Sequence, residues 1–302
     1  MADAGLIASR FCHYLAVTAL FGGVLFPLYA GAGHQGAPRR RLRIGAAILT
    51  LVTALAWFAF TTASMAGDPS ALLELPLLSS VATTTAFGRL WMVRLTLAAL
   101  MIGLALPRSA GPRLQTASVL VAGALIASLA CTGHGPSPAG VAGWPHLAAD
   151  GVHLLAAGAW LGAFPPLLML VFGPLETEPA VARAHGALDA FSRIGPAVVA
   201  LIVLSGLVNG WYLIGPNHLT DLVTKSWGVV LLVKLALFAG MLALAAAHRW
   251  RLVPSLAATG GGQNTVRVLR RTLALEAALG LAVLGAVSVL GTLQPASDFA
   301  PS

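Results

Sequence analysis

Apolar residues in this chain come in long, nearly unbroken blocks. Eight blocks are long enough to cross a bilayer, whose hydrocarbon core asks for about twenty residues of helix. They run Leu6–Ala30, Ile44–Ala66, Leu90–Leu106, Leu114–Cys131, Pro145–Phe172, Ile194–Ile214, Gly228–Ala247 and Leu273–Leu293. None alternates polar and apolar residues with period two, so a lipid-facing β-barrel is excluded. An open strand in lipid would leave its backbone unpaired. The pattern predicts an all-α, polytopic transmembrane bundle, one integral membrane domain over residues 1–302 with the lipid bilayer as its first partner. The segment Gly67–Arg89 is apolar but interrupted by proline and polar residues, which predicts a stretch lying at the interface. The first block has no basic leader and no small-residue cleavage pattern, and is expected to be a retained helix.

Composition agrees: 58% of residues are hydrophobic and 9% charged. The net charge of +8 would suggest nucleic acid in a soluble protein. Here the arginines sit in short segments between spans, where they set topology. Segments after spans one, three, five and seven hold 13 of the 18 Lys and Arg residues. The other side has Arg10, Arg89, Arg94, Lys225 and Lys234. Both termini are therefore expected outside, on the periplasmic face. Two cysteines, Cys12 and Cys131, form no CxxC pair, so no zinc-finger or thioredoxin motif is present.

The orientation gathers chemistry on one side. His13, His134, His146, Asp150 and His153 all fall in the outer half, whereas His34, His185 and His248 fall at the inner surface. His146, Asp150 and His153 are spaced i, i+4, i+7 and share one helix face, with Trp160 a heptad further on. Neutral imidazole ligates copper or zinc well, and a carboxylate ligates beside it or fixes the ring from behind. Cys12, Met65 and Cys131 are candidate soft ligands on the same side, which would favour Cu+ if they converge. His13 and His153 lie about two turns inside their spans, and the expectation is that they face each other across one ion. Each residue also has an ordinary reading. His134 would satisfy helix-end carbonyls, Asp150 would pair with Arg94, Trp160 would only pack, and the cysteines would be small core residues. Lys234 and Glu276 are further intramembrane charges with a structural or gating role, Glu276 in a salt bridge with Arg270 or Arg271.

Several stretches resemble the CopD copper-resistance membrane proteins, over nearly the whole chain. FGRLWMVRL (Phe87–Leu95) resembles the lead into that family's third span. HLAADGVHLLAAGAWLGAF (His146–Phe164) resembles its histidine-bearing fifth span, with Ala163 where a second glycine is expected after Trp160. SWGVVLLVKLALF and RRTLALEAALG resemble its last two spans. The resemblance implies a multi-pass protein of the bacterial inner membrane that takes copper (Cu+ or Cu2+) from the periplasmic side toward the cytoplasm. It also implies a separate CopC-like copper-binding protein as partner, since no such domain occurs in this chain.

A second class competes: a b-type-cytochrome-like redox protein with haem b between two histidines, for which His13 and His153 are the available pair. A metalloenzyme ranks last because no HExxH motif occurs, and no P-loop supplies ATP-driven pumping. Cysteines placed at Gln35 and Asn264 are expected to react only with reagents entering from the cytoplasm, and at Ser137 and Asn217 only from outside. Labelling of Ser137→Cys from the cytoplasmic face alone would invert the arrangement.

Overall fold

The computed structural model describes residues 2–31, 37–107, 111–132, 143–215, 219–258 and 262–294. Among these there is no strand, and eight helical segments are long and apolar enough to span a membrane. The first three spans are α1 (Ala2–Ala30), α2 (Ala37–Ala66) and, after a 3-10 turn at Pro69–Leu73 and the short α3 (Leu75–Thr84), α4 (Ala86–Ala105). Next come α5 (Pro112–Ala127), extended by a 3-10 turn to Thr132, and a fifth span in two pieces, α6 (Trp144–Leu161) and α7 (Phe164–Phe172). The last three are α8 (Glu178–Ile214), α10 (Ser226–Ala247) after the one-turn α9 (Asp221–Thr224), and α12 (Gln263–Leu290). A π-helical turn at His248–Leu252 continues α10 into α11 (Val253–Ala258).

The segment expected at the interface holds the 3-10 turn and α3, which at ten residues is too short to cross; Leu73 of the turn and Leu75 of α3 are exposed. Several helices start earlier than hydropathy alone places them, α8 at Glu178 and α12 at Gln263. Their opening stretches carry charged and polar residues, among them Glu178, Arg183, Gln263 and Arg267, that lower hydropathy without breaking a helix, so the helix begins before the lipid-soluble stretch does. At 1.5 Å per residue α8 is about 55 Å long, well beyond a hydrocarbon core of about 30 Å.

The break in the fifth span has a local cause. Pro165 and Pro166 offer no N–H, and their rings clash with the carbonyls of Leu161 and Gly162. The backbone tightens instead, with Ala163 N–H donating to Trp160 O at 3.1 Å. Because the span stops and restarts here, α6 and α7 need not move as one rod.

Two apolar clusters fill the bundle. One joins α1, α2, α4 and α5 around Trp57, Trp91 and Met101. The other joins α6, α7, α8 and α10–α12 around Trp160, Phe164, Leu167 and Leu269, and takes Phe26 from α1. The first helix therefore belongs to both halves. Arg10 of α1 donates to Gly291 O just past α12, so both termini lie at one end of the bundle. Below we call this the terminal end.

Close approach between α1 and α6 depends on glycine. A Cβ on Gly162 would collide with Thr18 O and with the Cα of Gly22. Ala163, which stands where the CopD pattern has its second glycine, is fully buried without such a conflict. Gly162→Ala should therefore lower stability by about 1–3 kcal/mol, the usual cost of overpacking. Gly123→Ala, whose added methyl would meet only Leu155 and Phe21 at an ordinary 3.6 Å, should leave the melting temperature in micelles unchanged or raise it slightly.

Candidate metal centre

The expected stripe on α6 exists, and it meets a matching stripe on α8. His146 stacks on Tyr212 with ring centroids 4.9 Å apart. One turn deeper, Asn209 Nδ2 donates to Asp150 Oδ1 at 3.1 Å. One turn deeper again, His153 Nδ1 lies 3.2 Å from both Ile202 O and Ser205 Oγ. Tyr212, Asn209 and Ser205 are themselves spaced i, i−3, i−7, so two antiparallel helices present three rungs each at about one-turn intervals.

Hydrogen bonding fixes the state of His153. Ile202 O can only accept, and the Ser205 hydroxyl spends its hydrogen on Leu201 O. Nδ1 therefore carries the hydrogen, and in the neutral ring Nε2 keeps the lone pair that a metal would use. Gly206 lies against this ring, where a Cβ would come 3.5 Å from Cε1. Lys234 of α10 is close enough to act electrostatically on both Asp150 and His153. No ion pair within 4.0 Å joins it to Asp150 among the described residues.

His13 is fully buried in a different setting. Its Nδ1 lies 3.1 Å from Thr53 Oγ1 on α2, and its ring packs at 5.5 Å from Trp57 and 6.3 Å from Trp91. Thr53 donates its own hydrogen to Leu49 O at 2.7 Å, so it accepts from His13, and His13 Nε2 is buried without a partner. Beside it stands Arg94, wholly buried, its guanidinium 4.4 Å from the Trp91 ring centre. Arg94 Nε donates to Ser128 Oγ at 3.1 Å and its NH2 group to Ser128 O at 2.8 Å.

Two sequence-based expectations are thereby corrected. Arg94 does not pair with Asp150: Ser128 holds Arg94 and Asn209 holds Asp150. Glu276 does not pair with Arg270 or Arg271. It binds Trp160 and His248, while Arg270 caps the Val171 and Gly173 carbonyls at the end of α7. The cause is common to both: span order fixes depth, but rotation about each helix axis decides which face a residue shows. Cys12 and Cys131 are exposed and unpaired, and Met65 is 64% exposed. His134 lies outside the described residues. Among those described, no three His, Cys, Asp or Glu side chains converge on one point.

Missed by the sequence reading were Ser205, Asn209 and Tyr212. A signal was available: three polar or aromatic residues in the sixth span repeat the spacing of the fifth.

A family model described as copper resistance protein D-like, N-terminal domain, matches residues 1–144, and one described as copper resistance protein D matches residues 185–290. Copper resistance protein D of Pseudomonas syringae pv. tomato is 35% identical over 98% of this chain and 98% of its own length. The chain belongs to the copper resistance protein D family. Inner membrane protein YebZ of Escherichia coli (strain K12) is 30% identical, covering 96% of this chain and 98% of YebZ. Copper transport protein CutJ of Bacillus subtilis (strain 168) is 28% identical over 98% of this chain, which spans 54% of CutJ. No solved structure matches. With eight spans and these relatives, this copper resistance protein D family member is a multi-pass inner-membrane protein. The α6 stripe falls between the two stretches that the family models match, and is covered by the full-length relatives.

Removing one side of a rung should cost stability according to what is left unpaired. Asn209→Leu strands the Asp150 carboxylate and should cost about 1–3 kcal/mol. Ser205→Ala should cost less, since Ile202 O still accepts from His153. Thermal unfolding of the two variants in the same detergent checks the order; equal losses would count against the pairing.

Proposed function

We propose that this protein carries copper across the inner membrane, taking it up at the terminal end along His146, Asp150 and His153 and releasing it at the opposite end. The observation that carries the reading is the oriented imidazole of His153, with its Nε2 lone pair held ready because Nδ1–H donates to α8. Membership of a family with copper resistance and copper transport proteins supplies the cargo. The distribution of basic residues supports a periplasmic terminal end, and release at the opposite end would carry copper inward. A separate CopC-like protein would deliver copper to this end.

The chemistry follows from the rungs. His146 and His153 are about 10 Å apart along the helix at 1.5 Å per residue. They therefore act as successive holding points, with Asp150 between them to offset the ion's charge. Few ligands at each point suit a cargo that must leave again, because binding has to be good enough to enter and weak enough to exit. His134 would add a first contact in the segment before α6. His13 stands beside Arg94, whose charge opposes a cation, so the copper path runs along α6 and α8. Lys234 acts as an internal competitor. It balances Asp150 when copper is absent and repels the ion when copper is present, which speeds release.

His146→Ala and His153→Ala should each lower copper binding by removing one holding point, and the double variant should lose at least tenfold, more than either alone. Lys234→Met should tighten copper binding about tenfold, equivalent to removing about 1.4 kcal/mol of repulsion, and slow copper release. Titration of purified protein with Cu+ against a competing chelator checks both. Unchanged affinity in all these variants would end this reading.

A further inference from the structure

Away from the terminal end, residues that the copper path does not use form a chain of polar contacts, two of them hydrogen bonds and the middle one a close carboxylate–imidazole approach. Trp160 Nε1 of α6 donates to Glu276 Oε1 of α12 at 3.1 Å. Glu276 Oε2 lies 2.9 Å from His248 Nδ1, on the π-helical turn after α10. His248 Nε2 lies 2.8 Å from Thr272 Oγ1. Glu276 is 1% exposed and His248 8%, with the apolar side chains of Leu269, Leu273 and Phe164 in the same core.

Counting hydrogens decides what this chain contains. The indole N–H only donates, so Oε1 accepts. Thr272 spends its hydrogen on Val268 O at 3.0 Å, so its oxygen accepts from His248 Nε2–H. A neutral His248 with its hydrogen on Nε2 has a bare lone pair on Nδ1. Without a further hydrogen, that lone pair would face a bare carboxylate oxygen at 2.9 Å in an apolar core, which is repulsive. A hydrogen borne by Oε2 or by Nδ1 removes that repulsion. Whichever atom bears it, the pair holds one proton more than a neutral imidazole and a free carboxylate.

We propose that Glu276 and His248 form a proton-binding site that is loaded and emptied as the protein works, so that proton movement accompanies copper movement. The coupling rests on the copper-transport reading; the site itself does not. Intramembrane carboxylate and imidazole groups mark proton relays in pumps and transporters. The local backbone is suited to switching. His248 sits on a π turn, a feature that concentrates at functional sites, and Trp160 lies just before the break between α6 and α7. Movement of either end separates donor from acceptor and frees the proton, and His248, the less buried partner, is its exit.

The neighbouring charges do not compete for this proton. From α1 comes Tyr29, packed against the same core, and from α6 only Trp160. α7 and α11 carry no ionisable side chain. α8 brings the half-buried His185 and the Asp189–Arg193 pair, joined at 3.1 Å. Arg249 donates to Ser192 O and Arg270 to Val171 O, while Arg251 and Arg271 are exposed. Lys234 is about 21 Å along α10, fourteen residues away.

Glu276→Gln is the sharp variant. A glutamine still accepts from Trp160 and gives His248 Nδ1 a fixed amide hydrogen, so packing is kept while the titrating proton is lost. His248→Gln is its companion. Copper-free wild-type protein should show coupled carboxyl and imidazole bands in an acid-minus-base infrared difference spectrum, absent in both variants. In liposomes holding a Cu+ chelator and a pH dye, wild-type copper entry should change the internal pH and speed up under an imposed pH gradient. In both variants these two responses should be lost. Infrared bands that persist in Glu276→Gln, or wild-type copper entry without proton movement, would overturn the proposal. If no copper enters even with wild-type protein, the transport reading falls, and the infrared comparison still decides the proton site.

Discussion

In hydrocarbon a polar side chain has no water to fall back on, so it is held by another helix or it opposes folding. Almost everything specific about this bundle follows from that constraint. Arg10 ties the first helix to the end of the last, Gln115 of α5 donates to Val24 O of α1, and Arg94 of α4 holds the end of α5 through Ser128. The same rule lines α6 against α8 rung by rung. Apolar contacts alone would hold the helices near one another, since lipid tails are as apolar as leucine. The polar pairs choose which faces meet.

The two halves of the molecule use the rule differently. Around His13 the polar groups are cationic and aromatic: two arginines and two tryptophans with no carboxylate in hydrogen-bond contact. Around His153 a carboxylate, an amide and two imidazoles are arranged with a lysine nearby. One chamber suits a rigid joint between α1, α2 and α4, where guanidinium groups lie over indole rings at 4.4 to 5.5 Å. The other suits a positive guest. The copper path proposed above therefore follows the fifth and sixth spans, although the first span contributes the most deeply buried histidine among the described residues.

The spans themselves were legible because length and hydropathy report directly on the bilayer. The α6 stripe was legible because helical periodicity places His146, Asp150 and His153 on one face whatever surrounds them. Partners were not, since nothing in the spacing says that His13 turns to Thr53 or that Asp150 turns to Asn209. Only the stripe on α8 offered a clue, as three residues at matching intervals. Glu276 was misjudged for a further reason. Its partner His248 was assigned to the end of a span, and the π turn that swings it inward leaves no mark in hydropathy. The prolines at 165 and 166, by contrast, announce the break in the fifth span to anyone who reads them as helix breakers and not as part of an apolar run.

The ladder between α6 and α8 also sets register. Sliding one helix past the other by a turn would bring Asp150 against Tyr212 or against Ser205, and would leave an end residue without a mate. A single polar residue in a coiled-coil seam can select one alignment at some loss of stability; here three pairs do so in series. Variation at this surface is therefore constrained in couples. A change on α6 alters the alignment of α8 as well as the chemistry of the stripe itself. Loss of function at His146, Asp150 or His153 thus separates into a chemical part and an alignment part only beside the matching change at Tyr212, Asn209 or Ser205.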